Sequence, residues 1–483
     1  MPRHSPVSVD VLAEAGGEPD APALVTTSRV LTPRVWTYAS LSEAVDVRAH
    51  ELREGGVTPG ALAPLVVEPD AEGVLSLLAL WRIGAVPLPL HGRSTAAERD
   101  AARSLHRPPA GTQVVVWTSG TGGRARGVAL SFQSFTASAR GAARRLGLGS
   151  DDVWLASLSP AHVGGLALIT RSLILGGAMV AAGAFDAEVA SGLVDGTALA
   201  PGAPRPVTHA SFVPTQLLRL LDHRRGAPAP PTFRCALIGG AHAPADLVER
   251  AHRGGWPLAL TYGSTEMCSQ VATAPPDLTR RKPGTVGAPL DGVEVRIGEG
   301  EEILVRGATQ AIGYVSPAGV GGDRVGGGDG WEGGDSVEGG DGPEGGDAVT
   351  GAVADTDGWY HSGDLGRLDG EGHLWVTGRR ADRIVSGGVT IDAVEVEEAL
   401  RSHPSVIDAC VVGLPDDEWG ERVAAWVEPV VGEFDPDEVE LHVRTLLSAA
   451  KVPRTWHVAG GLPRNANGKT DRGRVRETLE ARL

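Results

Sequence analysis

The chain has 483 residues, of which 42% are apolar, and a formal net charge of −16. That length exceeds one ordinary core and predicts two to four domains or subdomains at about 150 residues each. The acidity excludes nucleic acid or an anionic membrane surface as the main partner, so any polyanionic ligand must be met by local donors.

The opening MPRHSPVSVDVLAEAGG has no apolar h-region, and the run from Val74 to Trp81 is stopped by Arg82, well short of a bilayer span. Three cysteines, Cys235, Cys268 and Cys410, are widely separated with no CxxC, which indicates neither a disulfide framework nor a zinc site. The expectation is a cytoplasmic enzyme without membrane insertion.

From residue 20 to about 310, runs of strand length alternate with helix-like stretches: LAPLVV (62–67) then VLSLLALWRIG (74–84), PVTHASFV (206–213) then PTQLLRLLDHR (214–224), CALIGG (235–240) then APADLVERAHR (243–253). Such alternation predicts βαβ units around mostly parallel sheets. Within this region WTSGTGGRARG (117–127) follows the buried-strand pattern Gln113–Trp117. Its glycines let backbone N–H groups converge on an anion, while hydroxyls and two arginines add donors and charge. It is not a Walker A loop, and its expected place is the carboxyl end of a strand in the parallel sheet, with Ser131 or Ser134 capping a following helix.

Further on, TYGSTEM (261–267) sets a tyrosine, hydroxyls and a carboxylate at a strand end. Residues 318–350 carry the hexapeptides GGDGWE, GGDSVE, GGDGPE and GGDAVT, with eight carboxylates (five Asp, three Glu) against Arg324 alone. A calcium β-roll would need a nine-residue period, so the composition predicts a disordered acidic insertion. Beyond it come HSGDLG (361–366), GRRADRI (378–384), SGGVTI (386–391) and LPRNANGKTDRGRVRE (462–477), the last presenting Lys469 in a glycine–asparagine turn. The final hundred residues read as a small α+β domain in which Asp435 caps a helix and Pro436 fits its first turn.

Taken in order, these stretches resemble the adenylate-forming superfamily of acyl-CoA synthetases, peptide-synthetase adenylation domains and luciferases, from about residue 20 to the end. The family's T-S-G-T-T-G-x-P-K-G loop corresponds to Thr118–Gly127, with Gly122, Ala125 and Arg126 where the family has threonine, proline and lysine. A guanidinium keeps the charge but is a planar fork and not a point charge. The resemblance implies an α/β fold: a large N-terminal domain of doubly wound sheets with helices plus a β subdomain, and a small mobile α+β C-terminal domain. The expected division is 1–381 and 382–483, with 318–350 as the insertion.

It also implies ATP, Mg2+ and coenzyme A as co-substrate. Thr118, Ser119, Gly120, Thr121, Gly122, Gly123 and Arg126 would hold phosphates, and Glu266 with Thr121 the Mg2+. Gly240, Ala241, Tyr262 and Gly263 would border the adenine, Asp364 the ribose hydroxyls, and Arg379 ribose or phosphate. Lys469, Thr265, Glu266 and His162 form the expected catalytic set, with Lys469 reaching from the small domain to the α-phosphate. After that domain rotates, the Ser386–Gly387–Gly388 face would admit the pantetheine arm.

A narrower resemblance joins SLSPAHVGGLALITRSLILGGAMV (157–180), THASFVPTQLLRLL (208–221) and STEMCSQVATAPP (264–276) to o-succinylbenzoate-CoA ligases of menaquinone biosynthesis. It implies a small aromatic carboxylate bordered by His162, Gly164, Ser211, Ser264 and Ser269. Arg171 either meets that acid or, the favoured reading, snorkels to the surface from an apolar run. Another aryl- or acyl-CoA ligase and a freestanding enzyme loading a carrier protein remain alternatives, and a homo-oligomer is compatible with either.

Overall fold

The computed structural model describes residues 8–27, 33–118, 126–199, 203, 205–316, 352–430, 434–465 and 469–482. Its main sheet has eight strands in the order Ser269–Ala274, Leu258–Ser264, Cys235–Ile238, His209–Phe212, Val153–Ala156, Ala178–Ala181, Pro22–Thr26 and Val35–Thr37. The inner strands run parallel, and only the first and last pairs are antiparallel.

Side chains alternate across a strand, so a sheet covered on both faces needs apolar residues at successive positions. The strand Val153–Ala156 meets this requirement: Trp154 and Ala156 enter one core, Val153 and Leu155 the other. Helices such as Val163–Ile174 and Pro214–Arg224 cover these faces. The expected helix after residue 74 spans Ala71–Ile83 and is capped by Asp70, whose side chain accepts from the Gly73 N–H.

Among the described residues, three smaller sheets complete the large domain, one of them the parallel pair Leu62–Val67 with Val86–His91. Thr112–Thr118, Arg126–Ser131 and Gly313–Val315 form an antiparallel sheet, while Val293–Ile297, Glu302–Gly307, Tyr360–Leu368 and Leu374–Arg379 form another. The glycine-rich loop therefore joins two antiparallel strands, with Thr118 opposite Arg126, and does not lead from the parallel sheet into a helix. The helix comes one strand later, as Phe132–Leu146, and Ser131 caps it. Periodicity missed this because the strand Arg126–Ser131 has only a short apolar centre, and its partner Gly313–Val315 lies far along the chain.

In the C-terminal domain, Val389–Asp392, Arg383–Ser386, Gly420–Pro429, Val406–Asp416 and Thr455–Val458 share a sheet packed by Ala393–Arg401, Pro436–Leu446 and Arg472–Glu480. Asp435 caps the second helix as expected, accepting from the Asp437 N–H. Its buried clusters draw only on residues from Ile384 onward, whereas those of the large domain end at Leu374. All three cysteines are buried free thiols.

Candidate active site

The strand pairing of Tyr360–Leu368 with Leu374–Arg379 places Asp364 directly opposite Arg379. From the neighbouring main sheet Tyr262 donates its hydroxyl to Asp364 Oδ2 at 2.8 Å, and Arg379 Nε stands 3.5 Å from Oδ1. Burial raises both the Tyr262 phenol and the Asp364 carboxyl above their ordinary pKa ranges, with Arg379 opposing the rise at Asp364. The Asp364 N–H donates to Ser362 Oγ, and the Gly363 N–H donates to Glu302 Oε1, so the turn carrying the carboxylate is held on both sides.

Lys469 arrives from the other domain. A Cβ built on Gly240 would lie 3.7 Å from Lys469 Cε and 3.9 Å from Nζ, so the lysine occupies the space that a larger residue would fill. Burial, then the nearby Arg379, lowers its pKa, and Asp364 partly restores it. A cation held there is poised for an anionic partner. The neighbouring Ala241 is exposed.

His162 precedes the helix Val163–Ile174 but makes no capping bond with its side chain. Its ring stacks on His91, with 5.8 Å between centroids. Burial first, then His91, Lys469 and Arg93, pushes its pKa down to about 3, so the imidazole is neutral at ordinary pH. Gly164 lies in the first turn of that helix, against Leu158, and Ser211 is buried in the strand His209–Phe212.

The hairpin between Leu258–Ser264 and Ser269–Ala274 is tightly turned. Cys268 and Ser269 adopt φ of 49° and 91°, in the left-handed region that is costly for residues with a Cβ. Gly263 is required here, since a Cβ would sit 1.6 Å from the Ser269 carbonyl oxygen. Ser264 Oγ accepts from the Met267 N–H, which turns the chain so that Thr265 and Glu266 follow the strand.

Glu266 is met by a residue that nothing in the local sequence marks. Tyr314 donates its hydroxyl to Glu266 Oε1 at 3.1 Å, and the Arg126 guanidinium lies over the Tyr314 ring at 3.7 Å, with its Nη2 3.8 Å from the same oxygen. Among the described residues both contacts fall on Oε1. A Mg2+ ion carried by nucleotide phosphates needs only one or two protein carboxylates, so the single carboxylate of Glu266 beside Arg126 fits it. Thr118 donates its hydroxyl to the Arg126 carbonyl at 3.2 Å. Ser119, Gly120, Thr121, Gly122 and Gly123 lie outside the described residues.

Gly387 and Gly388, expected at the site only after rotation, lie within their own domain in this arrangement, and the expectation that Arg171 snorkels is corrected. Gly387 packs in its own domain, where its N–H donates to the Trp419 carbonyl and a Cβ would strike the Trp419 ring at 2.4 Å. Gly388, with φ of 79°, has nothing within 4 Å of a Cβ position. Arg171 does not snorkel: it is 3% exposed, donates to Gln270 Oε1 at 2.9 Å and stacks on Trp154 at 4.1 Å. The helix bearing it packs inward along this face, leaving the stem no route to water, and Gln270 and the indole replace the missing solvation.

These features are those of a nucleotide-activating enzyme, with a lysine brought to the site by a second domain. The chain matches the AMP-binding enzyme family over residues 12–107 and 102–315, and the AMP-binding enzyme C-terminal domain over 395–469. It belongs to this adenylate-forming family. Among its relatives, the 2-succinylbenzoate–CoA ligase of Bacillus cereus strain Q1 is 36% identical over 375 residues, covering 76% of this chain and 70% of that protein. The protein of that name from Bacillus pumilus SAFR-032 is 30% identical over 509 residues, covering 94% and 96%. The o-succinylbenzoate CoA synthetase of Bacillus subtilis, solved with its acyl-adenylate intermediate, superposes with a TM-score of 0.79 at 26% identity over 97% of this chain and 98% of that one. The same enzyme with ATP and magnesium ion gives 0.78 at 26%, over 98% and 99%.

Proposed function

We infer that this chain is an ATP-dependent acid–thiol ligase that converts o-succinylbenzoate to its CoA thioester through an acyl-adenylate, a step of menaquinone biosynthesis. The observation that carries the reading is Lys469, brought beside Gly240 and close to the charges of Asp364 and Arg379 and to His162. Relatives spanning nearly the whole chain and named for this acid support the substrate.

A carboxylate is a poor acyl donor to a thiol because oxide is a poor leaving group. In the first half-reaction a carboxylate oxygen bonds to the α-phosphorus of ATP while the bond to the bridging oxygen breaks, and pyrophosphate leaves. Two anions must approach, so the site has to neutralise charge where they meet. Lys469 supplies that charge. A carboxylate nucleophile has no proton to lose, so a neutral His162 serves as a hydrogen-bonding group that orients it and not as a base.

Tyr262 and Gly263 border the adenine, and Asp364 with Arg379 holds the ribose, as the fixed end of the nucleotide. Thr118 and Arg126 meet the phosphates together with residues 119–123. Glu266 would hold Mg2+, which would supply positive charge to offset that of the leaving pyrophosphate. Thr265 precedes it on the same turn. In the second half-reaction the thiol sulfur attacks the acyl carbonyl, its proton passes to solvent, and AMP departs with the oxygen that had joined carboxyl to phosphorus.

The second carboxylate of the acid has His162, Ser269 and Arg171 as candidate donors. Arg171 is a buried cation whose Nε has no acceptor among the described residues, which favours an anionic group reaching past Ser269 and Gln270. We place the domain boundary at residues 381 and 382, within the helical turn Arg380–Asp382, a position supported by the separate cores on either side. Among the described residues no helix is long and apolar enough to cross a membrane. With three free thiols, this supports a cytoplasmic location.

Pyrophosphate exchange across a panel of carboxylates, followed by trapping with CoA, tests the assignment. o-Succinylbenzoate should give the highest kcat/KM. A preference for benzoate, cinnamate or a medium-chain acid overturns the substrate, and transfer to a holo carrier protein but not to CoA overturns the acceptor.

A further inference from the structure

The loop after the strand Cys235–Ile238 touches the small domain at two points. The first is Gly240, with φ of 78°, where the position a Cβ would take lies 3.7 Å from Lys469 Cε. The second is His242, whose Nε2 is 2.8 Å from Glu398 Oε1 on the helix Ala393–Arg401. The hydrogen bond from His242 is the main cause holding the Glu398 carboxyl below the ordinary range.

The loop is firmly based. A Cβ on Gly239 would meet Thr261 Cγ2 at 2.6 Å, so the loop is packed onto the strand that carries Tyr262. One further ion pair crosses the boundary, Arg383 to Glu301 at 2.7 Å, and Arg380 to Glu302 at 3.0 Å braces the connecting turn from the large-domain side. Both adjoin the turn Arg380–Asp382 that connects the domains, so they anchor the link but leave rotation about it open. A contact from a separate segment removes that freedom, and His242 to Glu398 is such a contact.

We propose that the His242–Glu398 pair is a positioning contact for adenylate formation: it seats the helix Ala393–Arg401 on the loop 239–243 and so holds Lys469 at Gly240, beside Asp364 and Arg379. This rests on the reading of Lys469 as the group that assists the first half-reaction. Neither His242 nor Glu398 touches the reacting atoms. Their effect should fall on the rate of adenylation and leave KM for ATP and for the acid in place.

The side chains are 41% and 44% exposed. For such a pair His242→Ala and Glu398→Ala should each slow adenylate formation by about two- to fivefold. The double variant should be no slower than either single one, since both remove the same contact. His242→Gln, which keeps a donor, should recover much of the rate. Thioester formation from supplied acyl-adenylate should not slow in any of them.

Additive losses, equal slowing of both half-reactions, or unchanged adenylation would overturn the proposal. A second measurement needs no acid: amide hydrogen exchange of the wild-type enzyme and His242→Ala with ATP bound. Segments 236–244 and 393–401 should exchange faster in the variant while the thermal midpoint stays put. Unchanged exchange in both overturns the proposal whichever acid is accepted, whereas failure of the wild type to take o-succinylbenzoate overturns only the substrate assignment.

Discussion

The ribose-side cluster and the lysine contact are built in opposite ways. Asp364 and Arg379 face each other across an antiparallel ladder, and Tyr262 comes from an adjacent sheet strand, so backbone pairing fixes their geometry. Lys469 comes from a turn of another domain, beside residues 466–468 that lie outside the described set, and lies against the bare backbone of one glycine. On the proposed reading, the groups that hold the nucleotide through both half-reactions sit in ladders. The group needed when two anions meet is delivered by a domain with its own core, which can be withdrawn without disturbing the nucleotide site.

The sharpest way to break this comparison is Lys469→Ala. Adenylate formation should fall by about a hundredfold or more, the scale for losing one well-placed electrostatic group. Thioester formation from synthetic acyl-adenylate should be nearly untouched, as stopped-flow measurement of each half-reaction would show. Equal damage to both steps would mean that Lys469 also serves the second step or supports the fold. Asp364→Ala sharpens the contrast from the other side. The ribose is present in ATP and in the adenylate, so both half-reactions should suffer, by about ten- to a hundredfold, as expected for losing charged hydrogen bonds.

A smaller effect concerns stability. His209 is buried and His162 half-buried, and desolvation pushes the pKa of each down to about 3. The unfolded chain binds their protons near pH 6.5 and the folded chain does not, so the unfolded state gains as pH falls from about 6.5 toward 3. Each should cost about 1 kcal/mol per pH unit in that window. His209→Gln should flatten the acid limb of a plot of thermal midpoint against pH, whereas an unchanged slope would show that His209 is protonated in the fold. For the same reason kcat/KM should show no imidazole limb near pH 6.5 arising from His162.

The smallest expected effect is that of deleting residues 321–348, which lie outside the described residues. Their composition has little apolar surface to bury, and loop-closure entropy varies slowly with length. Adenylation should change by less than about twofold. A large loss of activity or of thermal midpoint would assign that segment a role in one of the two regions compared above.

The residues proposed to bear chemistry are legible because short motifs fix their types: a carboxylate in SGDLG, a ring in YGSTE, a cation in NGK. Local pattern also identified the strands and helices of the main sheet, where burial on both faces demands continuous apolar runs. What it could not decide was partnership. The strand that follows the glycine-rich stretch, Arg126–Ser131, finds Thr112–Thr118 on one side and Gly313–Val315 on the other, a pairing with no local signature. That same pairing brings Tyr314 to Glu266. Arg171 reads as a snorkelling cation in one dimension, yet folding surrounds it with Trp154 and Gln270 from other strands. His242 and Glu398 are unremarkable surface residues until two domains meet. Propensity and periodicity are local properties that the sequence alone determines, whereas desolvation, ion pairing and the placing of one domain's side chain in another's site depend on contacts between distant segments, and these only the tertiary structure decided.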